Sequence, residues 1–185
     1  MGISIADIEK LFRDHGHIEY SGEPVTQLEH ALQSAQRAEQ AAAPMELVTA
    51  ALLHDLGHLL NLQGDTPTAR GIDDRHQYFA IPFLRPLFPP AVIEPIRLHV
   101  DAKRALCSLE SEYYEALSED SKRSLTLQGG VFSREQVKEF LAKPHAEDAM
   151  RVRRWDDAAK VAGAETPPLG HYLAIAARCA LPTRA

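Results

Sequence analysis

Apolar residues recur at helical spacing through almost the whole chain. Ile5, Ile8, Leu11 and Phe12 follow Ser4, which pairs with Asp7 as a capping-box pattern, and Gly16 stands where this first helix should stop. Thr26 and Glu29 make a second such pattern. From there Leu28, Ala31, Leu32 and Ala35 carry the stripe toward Pro44, which suits the start of the next helix. The segment Met45 to Leu60 is richer in Leu and Ala than an exposed helix would be, which places it in the middle of a core. Further helices are expected from Asp74 to about Leu87, Pro90 to Ala105, Ser118 to Leu127, Arg134 to Leu141, Pro144 to about Val161 and Pro168 to Ala180. Pro82 and Pro95 should distort or start theirs. No alternating β-branched run of convincing length interrupts this series, so the expected class is all-α, a helical bundle.

Composition narrows the picture. With 185 residues and 45% hydrophobic content, residues 1–185 suit one compact domain, with turns at Gln128-Gly129-Gly130 and Gly163 to Pro168 but no linker or repeat. A formal charge of -6 without a long basic run argues against nucleic acid, so an anionic substrate would have to be met by a local cationic pocket. No stretch approaches the roughly 18 apolar residues of a membrane span, and Met1 to Lys10 lacks the apolar run of a signal peptide. Cys107 and Cys179 lie far apart and outside any C-x-x-C spacing, so they read as reduced thiols of a cytoplasmic protein. No membrane association and no protein partner is expected.

The chemistry lies in an ordered set of six residues: His30, His54, Asp55, His76, His99 and Asp156. Alone, each of these histidines reads as an ordinary hydrogen-bonded side chain, and Asp156, within Arg153-Arg154-Trp155-Asp156-Asp157, as a surface ion pair. Their joint order around Ala50-Ala51-Leu52-Leu53-His54-Asp55-Leu56-Gly57-His58 changes that reading, because a carboxylate buried in so apolar a run is costly without a cation or strong partner. A neutral imidazole binds a metal through one nitrogen, whereas a carboxylate can use both oxygens and bridge two ions. Six N/O ligands of this kind fit a dinuclear site of the HD type.

Two further positions stand one helical turn beyond candidate ligands. His58 follows His54 by four residues and fits a substrate-binding role. Lys103 follows His99 by the same interval. A lysine beside a dicationic site is repelled unless an anion lies between them, so Lys103 suggests a phosphate-like group in the pocket; on spacing alone, a solvated side chain near a helix end serves equally well.

At this point the chain resembles a known family. Tyr20-Ser21-Gly22-Glu23 with Gln27-Leu28-Glu29-His30, then Leu53-His54-Asp55-Leu56-Gly57-His58, His99-Val100-Asp101-Ala102-Lys103-Arg104, and Gln128-Gly129-Gly130 before Arg153-Arg154-Trp155-Asp156 are similar to segments of the PhnZ-type phosphonate oxygenases. These are HD-domain enzymes with a mixed-valence di-iron cofactor that oxidatively cleave 1-hydroxy-2-aminoethylphosphonates. The likeness runs from about Ile18 to Lys160.

The resemblance implies that His30, His54, Asp55, His76, His99 and Asp156 bind two irons, Fe(II) and Fe(III), with Asp55 bridging, and that dioxygen is the co-substrate. It implies that His58, Lys103, Ser121 and Arg153 hold a small organophosphonate, that Tyr20 and Glu23 lie near an open metal position, and that Glu23 meets a cationic amine. Cleavage would yield phosphate and glycine, or glycine betaine from a trimethylammonium substrate. The charged approach to His76, Pro82 and the extra acid Asp101 depart from the family pattern. With Glu23 and Tyr20, Asp101 is a candidate contact for a quaternary ammonium, and this acid tilts the expectation toward the trimethylated substrate. Two other classes use the same residues: a metal-dependent phosphohydrolase, and a non-catalytic sensor holding a phosphorylated ligand through Lys103 and His58.

Overall fold

The structure is a computed structural model that describes residues 2–20, 22–61, 71 and 75–182. Among these residues the regular elements are all helices: α1 Ile5–His15, α2 Gln27–Gln40, α3 Met45–Leu53, α4 Leu56–Leu60, α5 His76–Phe79, α6 Ile81–Leu84, α7 Pro90–Leu109, α8 Ser111–Ala116, α9 Glu119–Leu127, α10 Arg134–Leu141, α11 Ala146–Ala158 and α12 Leu169–Cys179. The all-α expectation holds. None of the described helices is long and apolar enough to cross a membrane.

Local chemistry explains where the helices begin. Ser4 with Asp7 and Thr26 with Glu29 form complete capping boxes at α1 and α2, and Ser133 with Gln136 forms a third at α10. Pro90 opens α7 at its first position, where its missing N–H costs nothing, while Pro95 lies inside that helix. Pro82 falls in the first turn of α6.

Two expected helices are divided. The run Met45 to Leu60 breaks at His54 and Asp55, where Asp55 takes φ -104 and ψ 11, so α3 and α4 are separate. The apolar pattern runs unbroken through this point and gives no sign of the break; tertiary placement of the two side chains sets it. The helix expected from Asp74 to Leu87 is two short helices that meet at Ala80. Its proposed start at Asp74, like Ser21 and Ile72-Asp73, lies outside the described residues. Helix α8 was not expected, and α7 runs four residues past Ala105 to Leu109.

Helix α3 is buried from Leu47 to Leu53 and packs among α2, α7, α11 and α12. Around it lies the main apolar core, which includes Ile8, Phe12, Leu52, Leu56, Phe88, Ile96 and Tyr172. A smaller cluster, with Leu98, Ala102, Phe132, Phe140 and Ala149, joins α7 to α10 and α11. Helix α7 serves both clusters, Ile96 facing the first and Leu98 the second. Between them His99 and Lys103 enter a buried polar band shared with His30, His54, Asp55, His76, Arg153 and Asp156. Burying this many polar groups is costly unless each finds a partner or a cation.

Candidate metal centre

Backbone carbonyls fix three of the histidines. His30 Nδ1 lies 2.9 Å from the carbonyl oxygen of Ala159, His54 Nδ1 2.8 Å from that of Ala51, and His99 Nδ1 2.7 Å from that of Ile96. A carbonyl can only accept, so each Nδ1 carries the proton and each Nε2 of the neutral ring presents a lone pair. Those lone pairs converge. The Nε2 atoms of His30 and His54 stand 3.2 Å apart, and those of His76 and His99 3.1 Å apart. In the first pair two acceptors face each other, an arrangement that a cation between them relieves.

Asp55 links the two pairs. Its Oδ2 lies 3.6 Å from His30 Nε2 and 3.4 Å from His54 Nε2, while its Oδ1 lies 3.2 Å from His76 Nε2 and 3.6 Å from His99 Nε2. The break between α3 and α4 sets this position, turning the carboxylate into the space between α2, α5 and α7. Asp156 on α11 joins the first pair, with Oδ1 3.5 Å from His30 and Oδ2 3.6 Å from His54. Asp55 Oδ1 and Asp156 Oδ1 are buried without a hydrogen bond. Two neighbouring groups of donors, His30-His54-Asp55 and Asp55-His76-His99, can each hold a metal ion, and the buried orphan oxygens fit that use. Among the described residues the second group has no carboxylate beyond Asp55, so it offers fewer protein donors than the first, which Asp156 joins.

The protonation states suit a metal. Burial pushes His30 down to about 4, partly opposed by Asp156, and drives His99 well below the usual histidine range, so both rings are neutral at neutral pH. Burial by itself would raise the carboxyls of Asp55 and Asp156. The surrounding His54 and His76 nevertheless hold Asp55 well below the ordinary carboxylate range, and Arg153 with His54 does the same for Asp156. Arg75, in the left-handed region at φ 49, turns the chain immediately before α5 so that this helix opens with His76.

Around this centre the remaining predicted residues take distinct places. The Tyr20 ring stacks on His30 with centroids 3.9 Å apart, and the His58 ring stacks on His76 at 4.1 Å. Lys103 is buried and donates to the Ser124 hydroxyl at 2.7 Å; burial, helped by the nearby Arg153, lowers its ammonium to about 7. Arg153 places Nη1 2.8 Å from Asp156 Oδ2 and directs its other nitrogens to Asp157 and Tyr113, so it orients a candidate ligand. Ser121 is buried, with its hydroxyl 3.3 Å from Lys160 Nζ. Glu23 forms an ion pair with the same lysine at 2.9 Å. Asp101 is not brought to the cluster. It pairs with Arg104 and Lys143, at 3.8 and 3.4 Å. Lys160, which sequence reasoning passed over, stands among the predicted residues.

The HD-domain family model matches residues 28–156. The chain belongs to the HD-domain family. It is 45% identical over 172 residues to the hydroxymethylphosphonate dioxygenase of Gimesia maris, covering 92% of this chain and 85% of that protein. It is 41% identical over 162 residues to the glycine-betaine-forming [1-hydroxy-2-(trimethylamino)ethyl]phosphonate dioxygenase of Leisingera caerulea, covering 88% of this chain and 83% of that protein. Within the HD-domain family, these relatives place the chain in the PhnZ-type oxygenase branch. The six clustered donors all fall inside the matched HD-domain span, whereas Tyr20, Glu23 and Lys160 fall outside it.

Proposed function

We propose that this chain is a di-iron dioxygenase that cleaves the carbon–phosphorus bond of a 1-hydroxyphosphonate. The observation that carries the reading is the division of Asp55, whose two oxygens face two histidine pairs, with the buried Lys103 nearby on the same helix as His99. Both named relatives are phosphonate dioxygenases, which favours oxidative cleavage over phosphohydrolysis.

In this reading His30, His54, Asp55 and Asp156 hold one iron, and Asp55, His76 and His99 hold the other. When bound, the pair would supply the redox chemistry by which dioxygen attacks C1 of the substrate. The protein's own residues do the rest. Lys103, His58 and Ser121 grip the phosphonate, with Lys103 supplying positive charge. Arg153 keeps Asp156 in place as a ligand. Tyr20, stacked on His30, shields the His30 side of the centre and limits the approach of water there. The net reaction would break both the C1–H and the C1–P bonds, with one dioxygen atom ending in the C1 carboxylate beside the original hydroxyl oxygen and the other in the released phosphate, a four-electron oxidation of C1 matched by the four-electron reduction of dioxygen.

Iron-loaded protein, a 1-hydroxyphosphonate and an oxygen electrode test this. One phosphate released per dioxygen consumed is expected, with no turnover under argon. Anaerobic phosphate release from a phosphate ester would establish the hydrolase instead.

A further inference from the structure

The Lys160 ammonium sits in surroundings built like an amine receptor. Its Nζ lies 2.9 Å from Glu23 Oε1, 3.3 Å from each of the Ser118 and Ser121 hydroxyls, and 5.7 Å from the centre of the Tyr20 ring. Three oxygens match the three donors of an ammonium group, and an aromatic face completes the enclosure. Neither partner of the ion pair is a surface side chain: Lys160 is 12% exposed and Glu23 11%.

The lysine is also fixed in place. On one side the Ala159 carbonyl accepts from His30 Nδ1; on the other, Gln33 bonds both the N–H and the carbonyl of Val161, at 3.0 and 2.9 Å. His30 and Gln33 are both buried on α2, so the backbone that carries Lys160 is pinned from both sides. The enclosure adjoins the candidate centre, because Tyr20 stacks on His30 and Lys103 feels Lys160 as a neighbouring positive charge. The family resemblance sets Glu23 against a substrate amine. In the folded chain that carboxylate already has one.

We propose that Lys160 is a specificity-determining residue: its ammonium occupies the cation position beside the phosphonate site, so the pocket takes 1-hydroxyphosphonates without an ammonium arm and rejects those that carry one. This rests on the dioxygenase reading above. A substrate ammonium would have to displace Lys160 from Glu23 or lie against a like charge in a half-buried space, and either course is unfavourable. A hydroxymethylphosphonate has no such arm and is unaffected.

The test compares kcat/KM for hydroxymethylphosphonate and 1-hydroxy-2-aminoethylphosphonate in iron-loaded wild type and Lys160→Ala. Wild type should favour the first by at least tenfold, and the variant should move the ratio toward the amine by at least tenfold. Zinc-loaded protein gives a readout without turnover: calorimetry should detect tighter binding of the aminophosphonate to Lys160→Ala than to wild type, with methylammonium competing only in the variant. Equal use of both substrates by wild type overturns the assignment, whether or not Lys160→Ala folds. So does a variant with an unchanged ratio and no gain in aminophosphonate binding. Failure of wild type to cleave either compound sinks the dioxygenase reading, whereas cleavage of both alike sinks only the role of Lys160.

Discussion

Gly57 lies against the backbone of His76: a Cβ atom at residue 57 would overlap the His76 carbonyl oxygen and stand 2.9 Å from its Cα. Helix α4 can therefore approach α5 only where no side chain intervenes, and this approach brings His76 to Asp55. Gly57→Ala should push α5 away, with a stability loss of about 1–3 kcal/mol, the usual range for overpacking. Iron should fall from about two per chain toward one, because the displacement takes His76 away from the second donor group while His30, His54, Asp55 and Asp156 keep their places around the first. Metal analysis with thermal unfolding measures both; a variant with undiminished iron would show that the contact has no bearing on the centre.

Asp55 should be required by both ions. Asp55→Asn preserves the size of the side chain but removes the shared charge, leaving the bound cations without the one carboxylate common to both donor groups. Both irons should be lost on gel filtration. Retention of one tightly held iron would mean that the two donor groups do not share this carboxylate.

Lys103 should couple substrate binding to proton uptake. Because its ammonium is lowered to about 7, most of it is neutral at mildly alkaline pH, and a bound phosphonate dianion would draw the proton back. Calorimetric titrations in buffers of different ionisation enthalpy should show uptake by wild type, with affinity falling as pH rises above about 7. Lys103→Met should bind without uptake and about 10- to 150-fold more weakly, the equivalent of roughly 1.5–3 kcal/mol for a hydrogen bond to a charged group. Unchanged affinity would remove Lys103 from the phosphonate site.

Metal-free protein should be acid-sensitive through His30. Its folded value, about 4, lies below the ordinary 6.5, so between these limits the unfolded chain binds more protons and stability rises with pH. The contribution is fully present above about 6.5 and is lost as pH falls toward 4, in all about 3 kcal/mol. Denaturant titrations of metal-free wild type and His30→Gln across this range should diverge; parallel curves would contradict the assignment.

The sequence made the donors legible because they are chemically unusual where they stand. A His-Asp pair inside the apolar run from Ala50 to Leu60 has few inexpensive explanations, and it lends meaning to His30, His76, His99 and Asp156, which carry little signal individually. Helix starts marked by capping boxes were equally readable. The break at His54 and Asp55 was not, since the apolar residues continue across it and only the packing of α2, α5 and α7 demands the turn. Lys160 was also hidden. A lysine just past a helix end looks solvated, and its partners Glu23, Ser118 and Ser121 come from distant parts of the chain. Asp101, by contrast, looked relevant from its closeness in sequence to Lys103, but two positions along a helix turn it to the opposite side, toward Arg104 and Lys143.

The hydrogen bond from His30 to Ala159 spans 129 residues. A chain still emerging from the ribosome can form α2, α3 and the His54-Asp55 turn, yet it has neither the carbonyl that orients His30 nor the Asp156 carboxylate until α11 has been made. Closing so long a loop is among the later events of folding. Nascent fragments therefore offer scattered imidazoles to passing metals but no finished cradle, and selection among those metals falls to the completed chain.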